Sequence, residues 1–252
     1  MNEQTQLTAA QTREVEKLFA LGAHLGHKKN RLHPKARKYI YKIVNGVSII
    51  DLTQTVAHLA KAKKVLAEMA KEGKVVLVVA TKKVASHETA KFCAENNIPS
   101  ITTKWLPGLL TNFETIIKNV KKMEELREQK TSGEWEKFVK HERISLGKEL
   151  VRLEKLYSGL AGMHKRPDAL FIVDIKKEKN AVNEAKKNNL PIVALADTNS
   201  NPEQVNYAIV VNDDSPTVTQ TVITDLLQSY VKGLKKEEKA KEAKEAKEAK
   251  TA

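Results

Sequence analysis

Cysteine is nearly absent from the chain. Cys93 is the only one, so an intrachain disulfide is excluded and a reducing, cytosolic setting is expected. It sits in the helix-like stretch SHETAKFCAENN and reads as a small core residue rather than a nucleophile. No apolar run approaches the ~20 residues of a membrane span. The opening MNEQTQLTAAQ lacks the basic-then-apolar pattern of an export signal. Glycine is missing where a phosphate loop needs it. After the first buried run comes Thr81-Lys82-Lys83-Val84-Ala85-Ser86, neither G-x-G-x-x-G nor G-x-x-x-x-G-K-[ST]. There is no G-x-S-x-G elbow. His87-Glu88 and His141-Glu142 each begin an H-E pair, with no second histidine at the spacing of a zinc helix. No catalytic constellation survives.

What is present is basic charge and β-branched runs. Among 252 residues Lys plus Arg number 44 and Asp plus Glu 31, a net charge of +13 that favours a polyanionic partner. That length allows one domain with an insertion, or two domains. The stretch 167–214 holds three runs, ALFIVDI, PIVALAD and YAIVVND, nearly continuous rather than alternating. Strands buried on both faces of a parallel sheet read this way. A polar, helix-like Lys176–Asn189 separates the first two. Two earlier runs, at 75–80 and 99–103, bring the total to five. The expected fold is a doubly wound α/β domain with a mainly parallel five-stranded, flavodoxin-like sheet.

The central runs end in acid: Asp174, Asp197, then Asp213 and Asp214. Ligands of open α/β sheets bind beyond the strand carboxyl ends, but acids there also cap the helices that follow. Neighbouring strands lie ~4.8 Å apart, so these carboxylates need relief from helix N–H groups, from Lys82 or Lys83, or from a divalent cation. Mg²⁺ suits carboxylates with water. Zn²⁺ would suit them if His24 or His27 joined. An enzyme or nucleotide-binding protein on this fold would use Thr81, Asp174, Asp197 and Thr198.

Segment Gly22–Lys42, GAHLGHKKNRLHPKARKYIYK, carries seven Lys or Arg and no acid. Gly22, Gly26 and Pro34 predict an irregular surface path. Cations can meet phosphates while Tyr39 and Tyr41 stack on unpaired bases, which suits RNA. The alternative is a solvated basic loop with both tyrosines packed on the core. His24, His27 and His33 alone match no zinc spacing. Asn45-Gly46 predicts a small hairpin, and Thr53 is a candidate cap for the helix after it. Helices are also expected over Thr12–Gly22, from about 84 to 96, and over Ser215–Leu234. In the region 112–165, Ile116, Val120 and Met123 and then Leu146, Leu150, Leu153, Tyr157 and Leu160 step by threes and fours. This predicts an inserted antiparallel coiled-coil helical hairpin whose contacts are mostly its own. The Lys-Glu-Ala tail, 235–252, has no apolar stripe and is expected to be a solvated, disordered tail. The domain plan is thus 1–52 (helix, basic loop, hairpin), 53–111 and 166–234 (two parts of the α/β domain), 112–165 (the hairpin) and 235–252.

Seven segments together resemble one family: GAHLGH (22–27), the basic flanks of Pro34, NGVSIIDL (45–52), ATKK (80–83), WLPGLLTNF (105–113), RPDALFIVD (166–174) and ADTNSNP (196–202). They resemble bacterial ribosomal protein S-two, over about 19–230. The chain departs from the family's usual pattern at Pro107 and at Leu32-His33. The resemblance implies the same α/β fold with a protruding helical hairpin. It also implies a structural, non-enzymatic, rRNA-binding constituent of the small subunit in the cytoplasm, with no required cofactor and no DNA or membrane partner. Other small-subunit proteins are implied neighbours, including the first-numbered one. The expected rRNA-contacting residues are Lys28, Lys29, Arg31, Lys35, Arg37, Lys38, Tyr39, Lys82, Lys83, Lys104, Trp105 and Asn112. The candidate metal-ligating residues are Asp197, Asp213, Asp214, His24 and His27.

Overall fold

The computed structural model describes the backbone of residues 8–251 and the side chains of 8–236. Five strands form the main sheet: β4 (Val76–Val79), β5 (Ser100–Ile101), β6 (Ala169–Val173), β7 (Ile192–Ala196) and β8 (Tyr207–Val210). All pair in parallel, in the order β5-β4-β6-β7-β8. The β-branched runs explain this arrangement, because β6 and β7 are buried at every position and a strand covered on both faces needs no polar alternation.

Alternate strand residues feed two apolar clusters. Val78, Phe171, Val193 and Ile209 face one side with helices α2 (Leu52–Lys71), α3 (Lys83–Glu95) and α7 (Pro216–Thr251), against which α1 (Ala9–Ala20) also packs. Leu77, Ile172 and Ala194 face the other, with α4 (Phe113–Thr131), α5 (Lys140–Tyr157) and α6 (Lys179–Lys187). The doubly wound α/β fold is therefore present. On the first side α2 and α7 come so close that a Cβ on Gly233 would meet Ala70 Cβ at 2.5 Å.

α4 and α5 lie side by side. Lys122 pairs with Glu149 at 2.6 Å, Arg127 with Glu154 at 3.0 Å, and Asn119 donates to the Tyr157 hydroxyl at 3.1 Å. The predicted apolar rhythm appears as buried Ile116, Val120, Met123, Leu150, Leu153 and Tyr157. The pair is not detached from the rest, because these residues share one continuous cluster with Leu170 and Ile172 of β6.

Several local expectations differ from the structure, each for a physical reason. α1 begins at Ala9, three residues before the predicted Thr12, because Thr8 and Gln11 form a reciprocal capping box. α2 is capped by Asp51 rather than Thr53; the Asp51 carboxylate accepts from the Thr53 N–H at 3.0 Å. The hairpin forms as β2 (Ile40–Val44) and β3 (Val47–Ile50), but a third strand joins it. β1 (Leu25–Lys28), inside the segment read as irregular, pairs antiparallel with β3. The backbone of α7 continues helically into the Lys-Glu-Ala tail read as disordered. Ala, Lys and Glu are among the strongest helix formers, so no apolar stripe is needed there.

Cys93 is fully buried in the first cluster, and burial pushes its thiol up to about 12. Against an ordinary thiol pKa of roughly 8.5–9, its thiolate fraction near pH 8 falls by about a thousandfold. Iodoacetamide should therefore label the native chain about a thousand times more slowly than the urea-unfolded chain. Equal rates would contradict this placement.

Candidate functional site

The site is built where the strands end. The parallel order brings the ends of β4, β6, β7 and β8 into a row carrying Thr81 and Lys82, Asp174, Asp197, and Asp213 with Asp214. Most of these groups meet one another. Lys82 Nζ lies 2.7 Å from Asp213 Oδ1, 2.6 Å from Asp214 Oδ1 and 3.8 Å from Asp174 Oδ2. Asp174, in the left-handed region at φ 69°, accepts from the Lys176 and Lys177 N–H groups. The Thr81 hydroxyl donates to buried Glu178, and Lys177 Nζ donates to the Thr81 carbonyl at 2.8 Å. Asp197 Oδ1 accepts from the Thr198 N–H. Capping and lysine pairing thus account for most of the strand-end acid. They also engage Thr81, Asp174 and Thr198, the groups that a nucleotide-binding reading would need free.

The electrostatics follow from burial. Burial raises the Asp213 carboxyl to about 7, helped by Asp174 and Asp197, and Lys82 offsets only part of this. Asp214 is exposed, and Lys82 holds it below the usual carboxylate range. Burial works against the Lys82 ammonium, yet its bonds to Asp213 and Asp214 raise it overall.

The basic segment docks on this row. The Thr198 hydroxyl accepts from the His27 N–H at 2.9 Å, and the Thr198 carbonyl accepts from the His33 N–H at 2.9 Å. Asn212, just past β8, donates to the carbonyls of Ala23 and Gly22. Gly26 has to be glycine here. A Cβ would sit 2.5 Å from Thr198 Cγ2 and 3.0 Å from the Ser48 carbonyl oxygen. His27 Nδ1 lies 3.0 Å from Asp197 Oδ2. That contact raises His27 above the ordinary imidazole range, against the opposing effect of burial.

The predicted contact residues are now placed. Lys28, Lys29, Arg31, Lys35, Arg37 and Lys38 are all exposed on the docked segment. Lys35 and Lys38 share Glu203, at 3.1 and 3.0 Å. Among the described residues no carboxylate lies within ion-pair distance of Lys28, Lys29, Arg31 or Arg37. Tyr39 is half-buried, edge-on to His58 at 5.6 Å, whereas Tyr41 is 71% exposed. Lys82 adjoins the segment but is taken up by the acids. Lys83 is exposed at the start of α3. Lys104 and Asn112 are exposed beyond β5, the edge strand farthest from β8 in the sheet order. Trp105 corrects its assignment. It is 5% exposed in the core, and its Nε1–H donates to Glu184 at 3.0 Å, which leaves no free face for a base. Glu184 also accepts from Gly108 and Leu110, and nothing local in the sequence marks it.

The five metal candidates divide as well. His27, Asp197 and Asp214 converge, with ligand atoms all within 4.8 Å of one another. Asp213 faces Lys82 instead, and His24 stacks on Phe19 with ring centroids 4.2 Å apart.

The strand-end groups of the parallel sheet are engaged with one another, and the covering segment turns its cations outward. The family model for ribosomal protein S2 matches residues 18–233. The chain is 37% identical over 224 residues to small ribosomal subunit protein uS2 of Chloroflexus aurantiacus, covering 89% of this chain and 94% of that one. It is 38% identical over 226 residues to uS2 of Porphyromonas gingivalis, covering 89% and 80%. With uS2 of Flavobacterium johnsoniae it shares 39% over 221 residues, covering 88% and 87%. The chain belongs to the ribosomal protein S2 family and is a structural constituent of the small ribosomal subunit, not an enzyme. Among the described residues no helix is long and apolar enough to cross a membrane.

The docking contact can be tested directly. Thr198→Val keeps the shape but leaves the His27 N–H without its acceptor, and it should cost about 1–3 kcal/mol in urea unfolding. Thr198→Ser, which keeps the hydroxyl, should retain most of that stability. Equal stability of the valine variant and the parent would show that the bond holds nothing.

Proposed function

We propose that the chain binds small-subunit rRNA through the docked basic segment, with Lys28, Lys29, Arg31, Lys35, Arg37 and Lys38 on phosphates. The observation that carries this is the row of outward cations on a backbone held to the sheet edge by Gly26 and Thr198. A backbone held in place lowers the ordering cost of binding. Exposed Tyr41 is the better-placed ring for stacking on an unpaired base. Lys83, Lys104 and Asn112 supply a second group of exposed donors around α3 and the end of β5. No cofactor is required by this reading.

We further infer that 112–165 acts as an antiparallel hairpin arm that the α/β parts, 53–111 and 166–234, carry as a unit. Protein neighbours are part of the same reading. Ile43 and Val44 expose apolar surface on β2 and suit a protein partner. The first-numbered small-subunit protein is the partner that the resemblance suggests.

The test is competition for subunit assembly. With all six basic residues changed to Ala, the chain should keep its unfolding transition but lose to the parent in incorporation by tenfold or more. Affinity of the parent for rRNA should fall with salt, at a log–log slope of roughly −0.7 to −0.9 per phosphate neutralised, and the six-Ala chain should show a shallower slope. Unaltered incorporation and slope would refute the proposal.

A further inference from the structure

Helix α5 commits its acids and leaves its cations free. It contains three acids, and each has a partner. Glu142 accepts from the Val139 N–H at the helix start, while Glu149 pairs with Lys122 of α4 and Glu154 with Arg127 of α4. The face opposite the buried stripe of Leu150, Leu153 and Tyr157 holds Lys140, Ile144, Lys148, Val151, Arg152 and Lys155. Five of these step by four, four, three and four and so form one line, with Arg152 beside it. All six are exposed, and no acid stands among them. Among the described residues no carboxylate lies within ion-pair distance of Lys140, Lys148, Arg152 or Lys155. The neighbouring α4 shows the pattern of a merely solvated face. Its exposed residues include Lys118, Lys121, Glu125 and Glu128, with both signs mixed.

Within this cationic line stand two branched aliphatics. Ile144 is 50% exposed and Val151 64%. They lie seven residues apart, ~10.5 Å along the helix axis. Gly147, between them, leaves a dip: a Cβ there would meet nothing nearer than Trp135 Cζ3 at 4.0 Å. A cleft of about 390 Å³ opens beside Ile144, lined also by Lys140 and Arg143.

We propose that this face of α5 docks an acidic amphipathic helix of a protein partner. Apolar side chains of the partner at i, i+3 and i+7 lie over Ile144, the Gly147 dip and Val151. Its Asp and Glu side chains meet Lys140, Lys148, Arg152 and Lys155. Charge complementarity selects this partner, because the face offers four cations and no acid and so penalises a basic or neutral helix. RNA fits the face less well. Phosphates can satisfy the cations, but a sugar–phosphate backbone takes no aliphatic surface from water, so Ile144 and Val151 would gain nothing. The surface uses none of the six basic residues of the docked segment, so either contact can fail without the other.

The experiment uses the full-length chain and a fluorescent peptide of about 20 residues, built from Leu, Glu and Ala, with Leu at i, i+3 and i+7 and Glu on both flanks. Binding is read by fluorescence anisotropy, beside a labelled RNA hairpin. The parent is expected to bind the peptide saturably, and a peptide with Leu replaced by Ser at least tenfold more weakly. The double variant Ile144→Ser, Val151→Ser should lose about tenfold in peptide affinity and nothing in RNA affinity. Both residues are exposed, so its urea unfolding should match the parent's. Changing Lys140, Lys148, Arg152 and Lys155 to Gln should also weaken peptide binding by tenfold or more. No saturable binding, or equal peptide affinity in the parent and the double variant, would overturn the proposal. So would a four-Gln variant that loses RNA affinity but keeps the peptide, since the face would then be an RNA surface.

Discussion

One contact determines how the rest is read: the backbone of Gly26 and His27 lies against Thr198 at the end of β7. Without it, residues 22–42 would be a cationic loop with many conformations. With it, the loop becomes β1, pairs with β3, and gains a second anchor from the His33 N–H to the Thr198 carbonyl. Fixing a backbone residue costs about 1–2 kcal/mol in entropy. These bonds and the packing beneath them meet that cost during folding, before any partner is present. Thr198 supplies its hydroxyl, its carbonyl and its N–H to three different groups, so a single threonine organises both the acid row and the basic cover.

The placing of acids beneath a basic surface follows from the same geometry. Parallel strands end together, and the turns after them use Asp and Thr side chains to satisfy free N–H groups. Four carboxylates therefore gather in one row. The chain offsets them from within, through Lys82, His27 and backbone N–H groups. The cations of the covering segment are left to face outward. Among the described residues only Lys35 and Lys38 of its Lys and Arg side chains have a carboxylate partner, the exposed Glu203. Exposed pairs of this kind are worth about 0–1 kcal/mol, so phosphates can replace Glu203 at little cost.

The sheet was legible because burial on both faces leaves a compositional mark, visible in ALFIV and IVALA. The pairing of Lys82 with the acids was foreseeable too, since strand spacing makes bare carboxylate neighbours untenable. Other features left no such mark. β1 is four residues, LGHK, with a glycine and two polar groups, and it is a strand only because β3 lies beside it. Trp105 was expected among the rRNA contacts, with nothing nearby in the sequence to mark it as buried. Its true partner, Glu184, stands 79 positions away. The role of Gly26 as a close-approach residue depends on Thr198, 172 positions away, so the local pattern suggested only irregularity. The continuation of the α7 backbone follows from intrinsic helix propensity, which an apolar-stripe criterion cannot detect.

The central claim is that the basic segment is ordered by the sheet edge in the free protein. Native-state amide hydrogen exchange on the isolated chain tests it most directly. The amides of His27, His33 and Ile50, bonded to Thr198 and to the His24 carbonyl, should show protection comparable to the β7 amides. Exchange of those three at unstructured rates, while β7 stays protected, would contradict the account.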